Sequence, residues 1–143
     1  MKKSILMHIL VLLAVSVILV SCSGGESADI TGTWRTENVG YYTETTFSED
    51  GTFESIYKVS DEEKSAIYGI SQEMLDAMNS IGYYVPVSKE ELTEEEIALS
   101  TGEFAIKVYP DKASKEADMN YFLSFYDIDK NTLILDGCVY TKK

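Results

Sequence analysis

Residues able to do chemistry are few in this 143-residue chain, and their positions matter more than their number. The cysteines are Cys22 and Cys138, and the single histidine is His8. Two cysteines alone build no metal site, and His8 lies in an apolar leading segment whose loss would leave no histidine for a His-based triad or a His-ligated zinc centre. A phosphate-binding loop and a dinucleotide fingerprint are absent from the sequence. The 24 acidic side chains leave an Asp/Glu acid–base pair open, although nothing in their spacing marks any two as partners. Asp127-Ile128-Asp129-Lys130-Asn131 places oxygens as the opening of a calcium loop would. Thr132 then stands where glycine belongs and Cys138 where glutamate belongs, so a solvated hairpin turn is the better expectation. Glu90, Glu91, Glu94, Glu95 and Glu96 form an acidic run that reads as the solvated start of a helix. No metal and no cofactor is expected.

The clearest signal lies around Cys22. Lys2 and Lys3 precede an almost unbroken apolar run from Ile5 to Val20, closed by Ser21, Cys22, Ser23, Gly24 and Gly25. A charged start, an apolar core and a small-residue end mark an export signal, and His8 would leave with it. A retained membrane helix is the alternative. The run would span about 24 Å as a helix, short of the roughly 30 Å hydrocarbon core. Leu19-Val20-Ser21-Cys22 resembles the lipobox of bacterial lipoproteins. That resemblance implies that the Cys22 thiol receives a diacylglycerol group, that cleavage follows Ser21, and that the new amino terminus is open to acylation. Cysteine suits this role because its thiolate is a strong nucleophile. Two or three acyl chains hold a protein on a bilayer where one binds only marginally. An ordinary signal peptide, with Cys22 kept to pair with Cys138, is the other reading. If Cys22 is lipidated, Cys138 has no intramolecular partner and is expected to be a small buried apolar residue in a strand. Localisation follows as lipid-anchored on the outer side of the cytoplasmic membrane. By analogy with diderm lipoproteins, Ser23 after the cysteine permits transfer to an outer membrane.

The predicted organisation is a signal peptide at 1–21, a lipidated cysteine and Gly/Ser-rich tether at 22–29, and one domain at 30–143. Loss of the signal removes two lysines and no acid, deepening a formal net charge of −12 by two units. That balance argues against nucleic acid, which needs a basic surface, and against docking on anionic headgroups. The membrane contact is then expected through the acyl chains alone.

Within the domain, Ile30 to Thr36 is rich in strand formers. Tyr41–Glu49 and Thr52–Val59 alternate on either side of Asp50-Gly51, the strongest short-range hairpin signal. At Ser60 the period changes. Ser60 and Glu63 have capping-box spacing, and Ile67, Ile70, Met74, Met78 and Ile81 recur at three and four residues, predicting one amphipathic helix over 61–81 with that stripe in the core and Gly82 as its C-terminal cap. Tyr83–Val87 is extended, and a second short helix follows Thr93, with Glu96 completing its cap. Glu103–Tyr109 is a strand with Phe104, Ile106 and Val108 on one side. Pro110–Asp118 is a polar loop, Met119–Ile128 a strand, and Thr132–Thr141 a second hairpin around Asp136-Gly137. Three strands, a helical insertion at about 60–100 and four further strands favour a mainly β fold. The expected form is an antiparallel meander that hides its edges by closing into an up-and-down barrel.

Gly32-Thr33-Trp34, Thr46-Phe47-Ser48-Glu49-Asp50-Gly51-Thr52-Phe53 and Leu133-Ile134-Leu135-Asp136-Gly137 resemble the small lipocalin-like domains of bacterial lipoproteins. The resemblance runs over residues 30–141 and implies such a barrel with the Trp34 ring closing its floor. The lipocalin Thr-Asp-Tyr motif and the late arginine that packs on the tryptophan are absent, and Arg35 is the only arginine. Phe53, Tyr57, Phe104, Ile106, Tyr121, Leu123 and Phe125 are the candidates to fill or line the interior. The functional expectation is a non-catalytic binding domain for a small apolar ligand or a protein partner. A structural or inhibitory envelope protein with a solid core is the alternative, and a carboxylate-dependent hydrolase trails both.

Overall fold

A computed structural model describes residues 28–143. The segments predicted as signal peptide and tether, with Ser21 and Cys22, lie outside the described residues as far as residue 27. Eight strands follow one another around a closed antiparallel barrel: β1 (Gly32–Glu37), β2 (Tyr41–Phe47), β3 (Thr52–Val59), β4 (Ser80–Val87), β5 (Phe104–Tyr109), β6 (Phe122–Ile128), β7 (Thr132–Leu135) and β8 (Cys138–Lys142). The expected up-and-down meander is therefore the fold, with one strand more than the sequence count. The stretch Tyr83–Val87, read only as extended, belongs to β4 and pairs with both β3 and β5.

Both hairpins form where Asp-Gly places them. Phe47 pairs with Phe53 across the first and Leu135 with Cys138 across the second. The barrel closes where Trp34 and Arg35 of β1 meet Lys142 and Thr141 of β8. Trp34 is fully buried there, and its indole Nε1 donates to the Ile30 carbonyl at 2.8 Å. The Lys142 ammonium lies 5.2 Å from the indole ring. Tyr126 Oη donates to the Ala28 carbonyl at 2.7 Å, tying the segment that leads into β1 across the same end of the barrel.

The segment after β3 departs most from expectation. Two short helices replace the single one: α1 (Glu62–Ile67) and α2 (Gln72–Met78). Asp61, not Ser60, caps α1 by accepting from the Lys64 amide. Gly69, at φ +68°, turns the chain left-handed after α1, and Ser71 opens α2 by accepting from the Met74 amide. The break rotates the predicted stripe off one face. Ile67, Met74, Met78 and Ile81 are all exposed, and the residue that α2 buries is Leu75. Gly82 is no helix cap. It lies in β4, where an added Cβ would stand 2.6 Å from Phe53 Cε1 and from the Tyr109 carbonyl oxygen. α2 lies against β3 instead of covering the core with its Met/Ile stripe. Gln72 bonds the Val59 amide and the Tyr57 carbonyl, and Asn79 Oδ1 accepts from the Tyr57 amide. Two side-chain amides thus stand in for the strand that β4, beginning opposite Ser55, does not supply.

After a 3₁₀ turn at Lys89–Glu91, α3 (Glu94–Ala98) follows its Thr93–Glu96 capping box as expected. The predicted polar loop 110–118 contains α4 (Lys112–Ala117), capped by Asp111. Leu123 and Phe125 do not enter the barrel. They pack on its outer face with Val87, Ala105 and Leu92, which the 3₁₀ segment lays over them. Tyr121 is also outside, edge-on to Tyr109. Trp34→Phe keeps most of the ring but removes the donor to Ile30, and should cost about 2–4 kcal/mol in urea unfolding. An unchanged midpoint would show that the floor does not depend on that bond.

Candidate functional site

The barrel interior is built in two halves. Around Trp34, the buried side chains of Ile30, Phe47, Tyr84, Tyr126 and Leu133 fill the lower part solidly. Phe47 meets Tyr84 edge-on at 5.1 Å between centroids, and Phe104 stacks at 5.4 Å on Tyr126. Further along the same strands the inward side chains become smaller and polar. On the β2–β3 ladder the successive inward pairs are Phe47–Phe53, Thr45–Ser55 and Thr43–Tyr57. Period-two alternation places all six on one face of the sheet. Small residues at the middle pair leave room that the lower layer does not have.

The room is a half-open cavity of about 160 Å³. Its apolar wall is Phe47, Phe53, Ile106, Val108 and Leu135, and its polar wall is Thr43, Thr45, Ser55, Tyr57, Ser124 and Tyr140. The Thr45 and Ser55 hydroxyls bond each other at 2.8 Å. Burial first, then the neighbouring Cys138, Tyr57 and Asp136, push the Tyr140 phenol up to about 12. The volume is below the roughly 300 Å³ at which drug-sized pockets begin. Of the candidates named from sequence, Phe53, Tyr57 and Ile106 line this space, and Phe104 belongs to the solid layer.

No Asp or Glu lines the cavity, and among the described residues no group of three His, Cys, Asp or Glu converges on a common point. The Asp127–Asn131 segment is the end of β6 and the turn into β7. Asp129 accepts from the Asn131 and Thr132 amides, and Asp127 accepts from the Glu103 amide. In the acidic run, Glu91 and Glu96 close capping boxes at Ser88 and Thr93. Cys138 is exposed, contrary to the buried position expected of it. It begins β8 at a strand end, where alternation no longer guarantees cover.

Outside the barrel, one ionic cluster was not legible beforehand. Lys107 reaches Asp118 at 2.8 Å, Tyr109 Oη donates to the same carboxylate at 2.6 Å, and the Lys107 ammonium lies 4.3 Å from the Tyr121 ring. The cluster holds Asp118 in a left-handed conformation after α4. A second, at the closing seam, sets buried Glu44 against Lys143 at 2.6 Å and Arg35 at 3.6 Å. Comparison with protein-family models, curated proteins and solved structures finds no match. No helix among the described residues is long and apolar enough to cross a membrane.

Hydrogen bonds from Lys107 and then Tyr109 hold the Asp118 carboxyl below its ordinary value. A depressed folded-state value stabilises the fold above the unfolded value and loses that effect as pH falls through the folded one. Asp118→Asn should therefore lower the melting temperature at neutral pH, with the gap to wild type closing below about pH 4. A gap independent of pH would remove the ionic account. Cys138 should react with a polar maleimide in the native protein as fast as in urea, and protection until unfolding would contradict its exposure.

Proposed function

We propose that this chain is made as a secreted bacterial lipoprotein, acylated at Cys22, whose barrel is a non-catalytic container for a small ligand. The observation that supports the container is the half-open cavity above a solid floor. The anchoring reading is supported by the lipobox resemblance and by the path of the chain into the barrel. Ala28 is tied to Tyr126 beside the floor, so the tether leaves from the closed end. The stretch from Cys22 to Ala28 reaches about 20 Å at most. An acylated Cys22 therefore keeps the floor near the bilayer.

A protein partner is the second reading, favoured by a separate observation. Ile67, Tyr68, Met74 and Met78 of the α1–α2 segment are exposed, where the sequence pattern had placed most of them in the core.

Wild-type protein purified gently from membranes should show, by native mass spectrometry, an acyl mass and a displaceable small molecule. Cys22→Ala should lose both the acyl mass and flotation with membranes. Flotation at unchanged mass would refute the lipid anchor. Clean apo protein that ignores hydrophobic probes would refute the container and leave the partner reading.

A further inference from the structure

The cavity lining specifies a class of ligand, an inference that rests on the container reading. Its six hydroxyl-bearing residues and five apolar ones include no carboxylate, ammonium, guanidinium or amide. The raised Tyr140 phenol stays protonated at any physiological pH. A charged ligand group would enter with no counter-charge, at the cost of desolvating an unpaired ion. A long acyl chain meets two different obstacles. A cavity of about 150 Å³ is enough for one benzene ring, so little of a chain fits. Its methylenes would also press against the hydroxyl wall and offer those groups no hydrogen-bond partner.

The ladder sets the orientation as well. Phe47 and Phe53, with ring centroids 6.0 Å apart, lie deepest on β2 and β3. The Thr45–Ser55 hydroxyl pair is the next step up, and Thr43–Tyr57 the one above it. In the hydroxyl pair one group donates to the other, which leaves one proton and several lone pairs for a guest. The geometry points to a single-ring, uncharged ligand bearing a hydroxyl or carbonyl oxygen, its ring on Phe47 and Phe53 and its oxygen at the Thr45–Ser55 pair. Charge is selected against by the absence of a counter-ion, and length by the solid layer below.

The test uses the full lipidated protein in phosphatidylcholine nanodiscs, with empty nanodiscs as the blank. Phenol, benzoate and 1-octanol are titrated by ligand-observed NMR, separating charge from length at similar apolar content. Phenol should bind saturably, benzoate at least about tenfold more weakly, equivalent to 1.4 kcal/mol, and 1-octanol no better than the blank. Ser124→Leu, which fills the cavity, should abolish phenol binding. Thr45→Val, which keeps the volume and removes one hydroxyl, should weaken it severalfold, with thermal unfolding confirming that each variant is folded. Benzoate binding as tightly as phenol, or 1-octanol competing with it, overturns the ligand class and leaves the container standing. Undiminished phenol binding by both variants overturns the assignment of the class to this cavity. Failure of all three probes, with no rise in melting temperature from any of them, overturns the container reading along with the class.

Discussion

An eight-stranded meander has two free edges until its first and last strands meet, and most of this domain depends on that meeting. The seam between β1 and β8 is short, with two residue pairs, so backbone bonds alone give it little. What holds it is the fully buried Trp34 ring. The Ile30 carbonyl fixes it from the entering segment, Lys142 covers it from the last strand, and Phe47, Tyr84, Tyr126 and Leu133 pack with it in one core cluster. Glu44, met by Lys143 and Arg35, ties the same two chain ends on the outside. The floor and the closure are thus one structure.

Filling one half of the barrel so tightly is what permits the other half to be hollow. A core layer of large side chains contributes about 1.5–3 kcal/mol for each fully buried one, and the lower layer holds several. The outer face adds a second apolar cluster under Leu92. With stability drawn from the floor and the outer face, threonines and serines are tolerated in the upper interior. Their small volume and hydroxyls turn an otherwise solid core into a site.

The loops divide in the same way. Segments at the floor end are tied by capping boxes and by the Tyr126–Ala28 bond. At the other end, α1 and α2 stand on β3 through Gln72 and Asn79, side chains that replace a strand on an open edge. Nothing local announces this. Glutamine and asparagine in a helical segment read as solvent-facing, and only the absent strand partner makes their amides structural.

The hairpins around Asp50-Gly51 and Asp136-Gly137, the period-two faces of β2, β3 and β5, and the Thr93–Glu96 cap were legible because each depends on neighbours a few residues apart. The Met/Ile stripe misled because helical spacing shows which residues share a face, not whether anything lies opposite. Gly69 and Ser71, which divide that helix, are local signals that the stripe outweighed. Leu123 and Phe125 show the complementary limit. In β6 both faces are apolar, so alternation could not say which side was the interior, and Leu92, more than thirty residues away, decided it. The type of fold rests on short-range chemistry, and the sequence by itself determined it. The hollow upper half, the roles of Lys142 and Gln72, and the exposure of Cys138 arise from contacts between residues far apart in the chain, and only closure of the barrel decided them.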